Sequence, residues 1–203
     1  MNPDENAFPL NRESLMHANF PIELFSGQRL PTQVFSNSAG FFFFFEFARA
    51  FGDGAWRLFT RLAREFDEPV VWCMSVEPDS KAYYRANFGE TAQFVFLADG
   101  PEKDYTERMY NWPPTSIADA IGYRADVVAW CGISGRWACW GERETGLCIL
   151  HLMGDDRLRK ELILLSDDYV PILTLDEALS DIVSSEMTPE ELVRFARGMH
   201  CNY

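Results

Sequence analysis

The sequence predicts an α+β fold, a mostly antiparallel sheet with helices packed on one face, from three observations. Apolar runs at 126–133, 136–140 and 147–152 are separated by turns at Ser134-Gly135 and 141–146, the pattern of an antiparallel meander. A helical apolar period over 56–66 precedes an apolar run over 70–76. Two capping boxes near the C-terminal end open further helices. With 203 residues, 47% hydrophobic and 15% aromatic, the chain can bury one core without staples, so residues 21–203 are expected to form a single domain.

The opening Met1-Asn2-Pro3-Asp4-Glu5 is acidic and lacks the basic and apolar regions of a secretion signal, so residues 1–20 read as a mobile tail. The Phe run at 41–45 is too short and too soon interrupted, by Glu46, Arg49 and Asp53, to cross a bilayer, and no membrane association is expected. It suits a buried central strand, whereas its continuation through Phe51 suits a helix that stops at Gly52; helix is the preferred reading. Trp56, Phe59, Leu62, Ala63 and Phe66 then recur at helical spacing, with Arg57, Arg61 and Arg64 on the opposite side. That arginine row reads as a solvated face balanced by Glu65, Asp67 and Glu68.

Pro69 ends the helix and residues 70–76 form a buried strand. Asp79 or Ser80 caps a short helix that Gly89 terminates, and 93–97 is another strand before the turn Asp99-Gly100-Pro101. Residues 102–115, polar with Tyr105, Tyr110 and Trp112, read as a surface loop; Trp112 either presents its ring to a partner or folds back as a lid on the core. Thr115 caps a short helix over 116–121. In the meander, Trp137 and Cys139 face one side of the sheet, Ala138 and Trp140 the other. Thr174 with Glu177, and Thr188 with Glu191 and Pro189, start the last two helices; their apolar stripes are Leu175, Ala178, Leu179 and Ile182, then Leu192, Val193, Phe195 and Ala196.

Charge is the clearest functional signal. The net formal charge is −13, and between Glu161 and Val193 nine carboxylates occur with no Lys, Arg or His. Such a field repels nucleic acid and favours a basic protein partner. Asp176, Glu177, Glu190 and Glu191 stand in first turns, where the helix dipole already accounts for them. Asp167, Asp168, Asp181 and Glu186, with Asp155 and Asp156 upstream, remain as candidate contacts.

Motifs for chemistry are missing. The five Cys show no CxxC or metal doublet; with an odd count they read as buried apolar groups in a reducing, cytoplasmic setting. Cys131 and Cys139 could meet across the first hairpin, though an inert core pair is preferred to a redox pair. Cys148 and His151, three apart on a strand, point to opposite faces and cannot act together. The Asp doublets lack the spacing of a calcium loop, so no metal and no cofactor is expected.

Residues 132–144, Gly-Ile-Ser-Gly-Arg-Trp-Ala-Cys-Trp-Gly-Glu-Arg-Glu, followed by Leu147-Cys148-Ile149-Leu150, resemble a hairpin of bacterial toxin-immunity-type proteins, and the helix over 56–65 is similar in character. The resemblance implies a binding protein without catalytic activity that neutralises a toxin by occluding its active site. It adds Glu142, Arg143 and Glu144, at the hairpin tip, to the candidate contacts, beside Trp112. The alternative is a small carboxylate-dependent hydrolase or transferase with an acidic cleft, since such carboxylates are recognised by geometry alone.

Overall fold

The computed structural model describes residues 20–164, 168–183 and 187–203. Its centre is one six-stranded, wholly antiparallel sheet in the order β1-β6-β5-β4-β2-β3, where β1 is Phe41–Glu46, β2 Val70–Glu77, β3 Gln93–Leu97, β4 Val127–Cys131, β5 Trp137–Glu142 and β6 Leu147–Leu152. Among the described residues, five α-helices of seven residues or more accompany it: α1 Asp53–Glu65, α2 Glu102–Asn111, α3 Asp156–Leu164, α4 Leu175–Asp181 and α5 Pro189–Asn202. Among the described residues no helix is long and apolar enough to cross a membrane. The expected tail falls almost wholly outside the described residues; Phe20, at its end, is buried against Phe25 and Trp72.

The antiparallel α+β domain predicted from sequence is the one observed, with helices α1, α2 and α3 packed on one face. The opposite face is also covered, by α4, α5 and the segment 20–35. This explains why strands β4, β5 and β6 are buried at every position: each residue has a core to enter whichever way it points. Trp137, Cys139, Cys148 and Leu150 enter the α1 side, Ala138, Trp140, Leu147 and Ile149 the α5 side.

Two-sided burial also decides the Phe run, where the preferred helix is corrected to a strand. Phe43 and Phe45 enter the α1-side core and Phe44 the other, with Phe43 opposite Leu150 of β6. An apolar run without alternation is what a strand buried on both faces needs. The helical continuation survives only as a 3-10 turn, Phe47–Phe51.

The predicted loop over 102–115 is also corrected, because most of it is α2. Tyr105 and Met109, one helical turn apart, are buried and set its period, and Tyr105 Oη donates to Ala50 O at 2.5 Å. α1 forms as the apolar spacing predicts, burying Trp56, Leu58, Phe59, Leu62 and Ala63. Both capping boxes are present: Glu177 N donates to Thr174 Oγ1 and Glu191 N to Thr188 Oγ1, each at 3.3 Å, and each Glu carboxylate accepts from the Thr N–H at 2.8 Å. In α5 the buried pair is Phe195 and Met199, whereas Val193, expected in the stripe, is exposed.

Candidate functional site

The hairpin tip that supplies Glu142, Arg143 and Glu144 is divided by the turn into two structural groups and one surface group. Glu142 ends β5 and is 2% exposed. Its Oε1 accepts the indole N–H of Trp140 at 2.8 Å and the backbone N–H of Leu30 at 2.9 Å. Arg29 Nε lies 3.1 Å from its Oε2, an ion-pair distance without the alignment of a hydrogen bond. Arg29 reaches Glu77 as well, and Glu144 at 3.8 Å. Glu142 is therefore a strut that ties the segment 29–30 to the sheet, and it has no surface to offer a partner. Arg143 donates from Nε to Ala125 O at 2.8 Å and from Nη2 to Gly122 O at 3.1 Å, and its guanidinium lies 5.1 Å from the Phe47 ring centre. Only Glu144 projects, its side chain 82% exposed.

Trp112 folds inward. It is 5% exposed, packs against Tyr84 and Phe94, and its indole N–H donates to Glu90 at 3.3 Å, so it is a lid on the core rather than a presented ring. A buried ring of this size contributes through the apolar area that it removes from water.

The remaining acids do not share one surface. Asp155 and Asp156 follow β6 and lead into α3, over the α1-side core. Asp155 accepts from Leu158 N at 3.0 Å as a cap, and Asp156 lies 3.6 Å from Arg159 and 3.4 Å from Lys160. Glu161 is held by Arg61 and Arg157, which also grip Glu65, so a four-membered network joins α1 to α3. Of the predicted arginine face, Arg61 is thus paired with Glu65 and with a carboxylate of α3 and Arg64 donates to Ala98 O at 3.4 Å, while Glu68 turns inward to accept from Trp137 Nε1 at 2.8 Å and Ser134 N at 2.8 Å. Asp168 is exposed in the segment that passes the start of α1, where a Cβ on Gly54 would stand 2.0 Å from Tyr169 O. Asp167 and Glu186 lie outside the described residues.

What does converge is a smaller set at the end of the sheet that carries the β5–β6 turn. Asp181 ends α4, and the neighbouring Ile182 touches the turn: a Cβ on Gly146 would stand 3.3 Å from Ile182 Cγ2, and only the positive φ of +67° lets the chain turn there. Asp181 and Glu46 border one hollow of about 340 Å³ with Arg49; Glu142, Glu144 and Glu191 border another of about 750 Å³ with Arg29 and Arg194. The larger has an apolar floor of Leu30, Pro31, Met187 and Phe195. Five carboxylates thus meet three guanidinium groups at this end. Arg29 and Arg49 are already engaged, by Glu77, Glu142 and Glu144 and by Glu46. Glu46 and Glu191 carried no signal in the sequence beyond helix or strand ends; their convergence comes from β1 pairing with β6 and from α5 crossing behind the turn.

Cys73, Cys131, Cys139 and Cys148 are buried and inert by placement. Register pairs Cys131 with Ala138, so Cys131 and Cys139 fall on opposite faces and the suggested pair across the hairpin is corrected. Burial pushes the Cys73, Cys131 and Cys148 thiols well up, while Cys201 is exposed. His151 packs with Phe35 and Phe42 on the side opposite Cys148, its Nε2 2.8 Å from Ala39 O. Among the described residues no three His, Cys, Asp or Glu side chains are grouped to hold a metal ion.

Fold and surface define the class: a single α+β domain built on a two-sided antiparallel sheet. Comparison with protein-family models, curated proteins and solved structures finds no match.

Proposed function

We propose that this chain is a binding protein that docks a basic protein partner on the sheet end carrying the β5–β6 turn, and that it acts as an immunity-type inhibitor by occluding the active site of a toxin. The observation that supports the reading is the apolar floor of the larger hollow, Leu30, Pro31, Met187 and Phe195, at an end of the sheet where five carboxylates meet three guanidinium groups. Apolar contact supplies the affinity of such an interface, and the acidic rim speeds association and rejects acidic competitors. The inhibitory role rests on the hairpin resemblance alone.

The test is affinity capture from the source organism with three forms of the protein. Wild type is expected to retain a basic protein at low salt and lose it as salt rises. Glu144→Lys with Asp181→Lys should abolish capture, whereas Asp155→Lys with Asp156→Lys should not. Failure to capture a basic protein, salt-insensitive capture, or equal loss from both double variants would refute the assignment.

A further inference from the structure

We propose that the open edge of β3 binds an extended acidic peptide segment by strand addition, at a site separate from the turn end. β3 is the terminal strand, and no strand of the described residues pairs with its far side. The other terminal strand is closed, since Phe44 of β1 exchanges backbone hydrogen bonds of 2.8 and 3.4 Å with Leu173. The bonds Ser75 N to Ala92 O and Ala98 N to Pro69 O, both 2.9 Å, set the phase of the ladder between β2 and β3. Antiparallel pairing alternates, so Phe94 and Phe96 exchange bonds with β2 while the N–H and C=O of Val95 point outward. Leu97, next in the outward phase, already accepts from Gly100 N at 2.9 Å, so Val95 is the anchor that this edge offers to an added strand.

Charge selects the occupant. A groove of about 770 Å³ follows this edge, and its lining brings Lys81, Arg85 and Arg108 together with one carboxylate, Asp104, in a chain of net charge −13. The ion pairs among the described residues involve none of those three cations. The Arg108 guanidinium is held 4.7 Å over the Phe94 ring, a pre-formed cationic wall beside the strand. A second copy of the chain would set these cations against their equivalents, whereas an extended segment bearing carboxylates would satisfy strand and wall together. Lysine and arginine beside an edge can also serve only to prevent edge-to-edge aggregation; the experiment separates the two roles.

The probe is a fluorescein-labelled peptide of alternating Val and Glu, followed by fluorescence anisotropy, with an alternating Val and Lys peptide as control. The Val-Glu peptide should bind and the Val-Lys peptide should not. Val95→Pro removes an outward N–H that the ladder does not use, so the fold should persist with a modest fall in melting temperature from the lost packing of Val95 on the α5-side core, and binding should weaken by at least about tenfold. Lys81→Glu with Arg85→Glu should weaken it similarly. In the wild-type protein, peptide should slow hydrogen exchange of the Val95 amide, a readout independent of any variant's folding. Absence of Val-Glu binding, binding that survives Val95→Pro or the double charge reversal, or an unchanged Val95 amide would overturn the proposal. So would a dimer in sedimentation that Val95→Pro abolishes. None of these results bears on the turn end, where Lys81, Arg85 and Val95 are absent.

Discussion

Glu68 and Glu142 are enclosed by the fold, and each anchors a loop by accepting one indole N–H and one backbone N–H: Trp137 and Ser134 for the first, Trp140 and Leu30 for the second. Removing the Glu142 acceptor strands two buried donors and leaves Arg29 without its nearest inner partner. Glu142→Ala should therefore cost about 2–4 kcal/mol in urea unfolding, whereas Glu144→Ala, two residues away on the surface, should stay within about 0.5 kcal/mol. The sequence showed two acids flanking an arginine; which one turns inward was decided by strand register and by a segment more than a hundred residues upstream, neither of which a local pattern contains. A second residue-scale prediction concerns His151, whose imidazole burial holds below its ordinary 6.5 although the hydrogen bond with Ala39 O opposes the shift. The unfolded chain then binds the proton more readily, so stability is complete above about pH 6.5 and declines as pH falls below it toward the lower folded value. NMR titration should place the His151 midpoint below 6.5; a midpoint above it would contradict the enclosed site.

At the scale of elements, the C-terminal helices begin where their hydroxyl and carboxylate pairs dictate. Hydrogen bonding to Thr188, backbone first, holds the Glu191 carboxyl below its ordinary range, so the stability that it adds is present above that range and is lost as pH falls through the lowered folded value. Thr188→Ala should destabilise the protein by about 1 kcal/mol in thermal or urea unfolding, and should shrink the loss on acidification. Elements bounded by turn residues, a cap or a clear helical period were legible: α1, α4, α5, β2, β3 and the meander all formed where period and punctuation placed them. Those that depend on what covers them were not. Phe41–Glu46 is a strand because a core waits on both sides, and α2 is a helix because Tyr105 and Met109 reach the same core as α1. The strands also predict thiol chemistry: with Cys73, Cys131, Cys139 and Cys148 buried, the native protein should titrate one fast thiol, Cys201, and the unfolded chain all five. Fast reaction of a second thiol in the native state would contradict the packing of the sheet.

For the whole molecule, the sum of charges was legible and its arrangement was not. The run of nine carboxylates between Glu161 and Val193 is interrupted in space by cations remote in sequence, such as Arg61 beside Glu161, and by His200 beside Asp176 at 3.4 Å. Asp155 and Asp156 belong to the α1 side, while Asp181, Glu144 and Glu191 gather with Glu46 around the β5–β6 turn. The surplus that survives is local and lies beside an apolar floor, which is why one end of the sheet, rather than the acidic stretch as a whole, is proposed as the docking surface. Hydrogen exchange of the chain alone and with its captured partner tests that assignment most directly. Protection is expected to concentrate in residues 29–31, the β5–β6 turn at 142–147, and 187–195; protection confined to residues 155–164, or found in neither region, would overturn docking at the turn end.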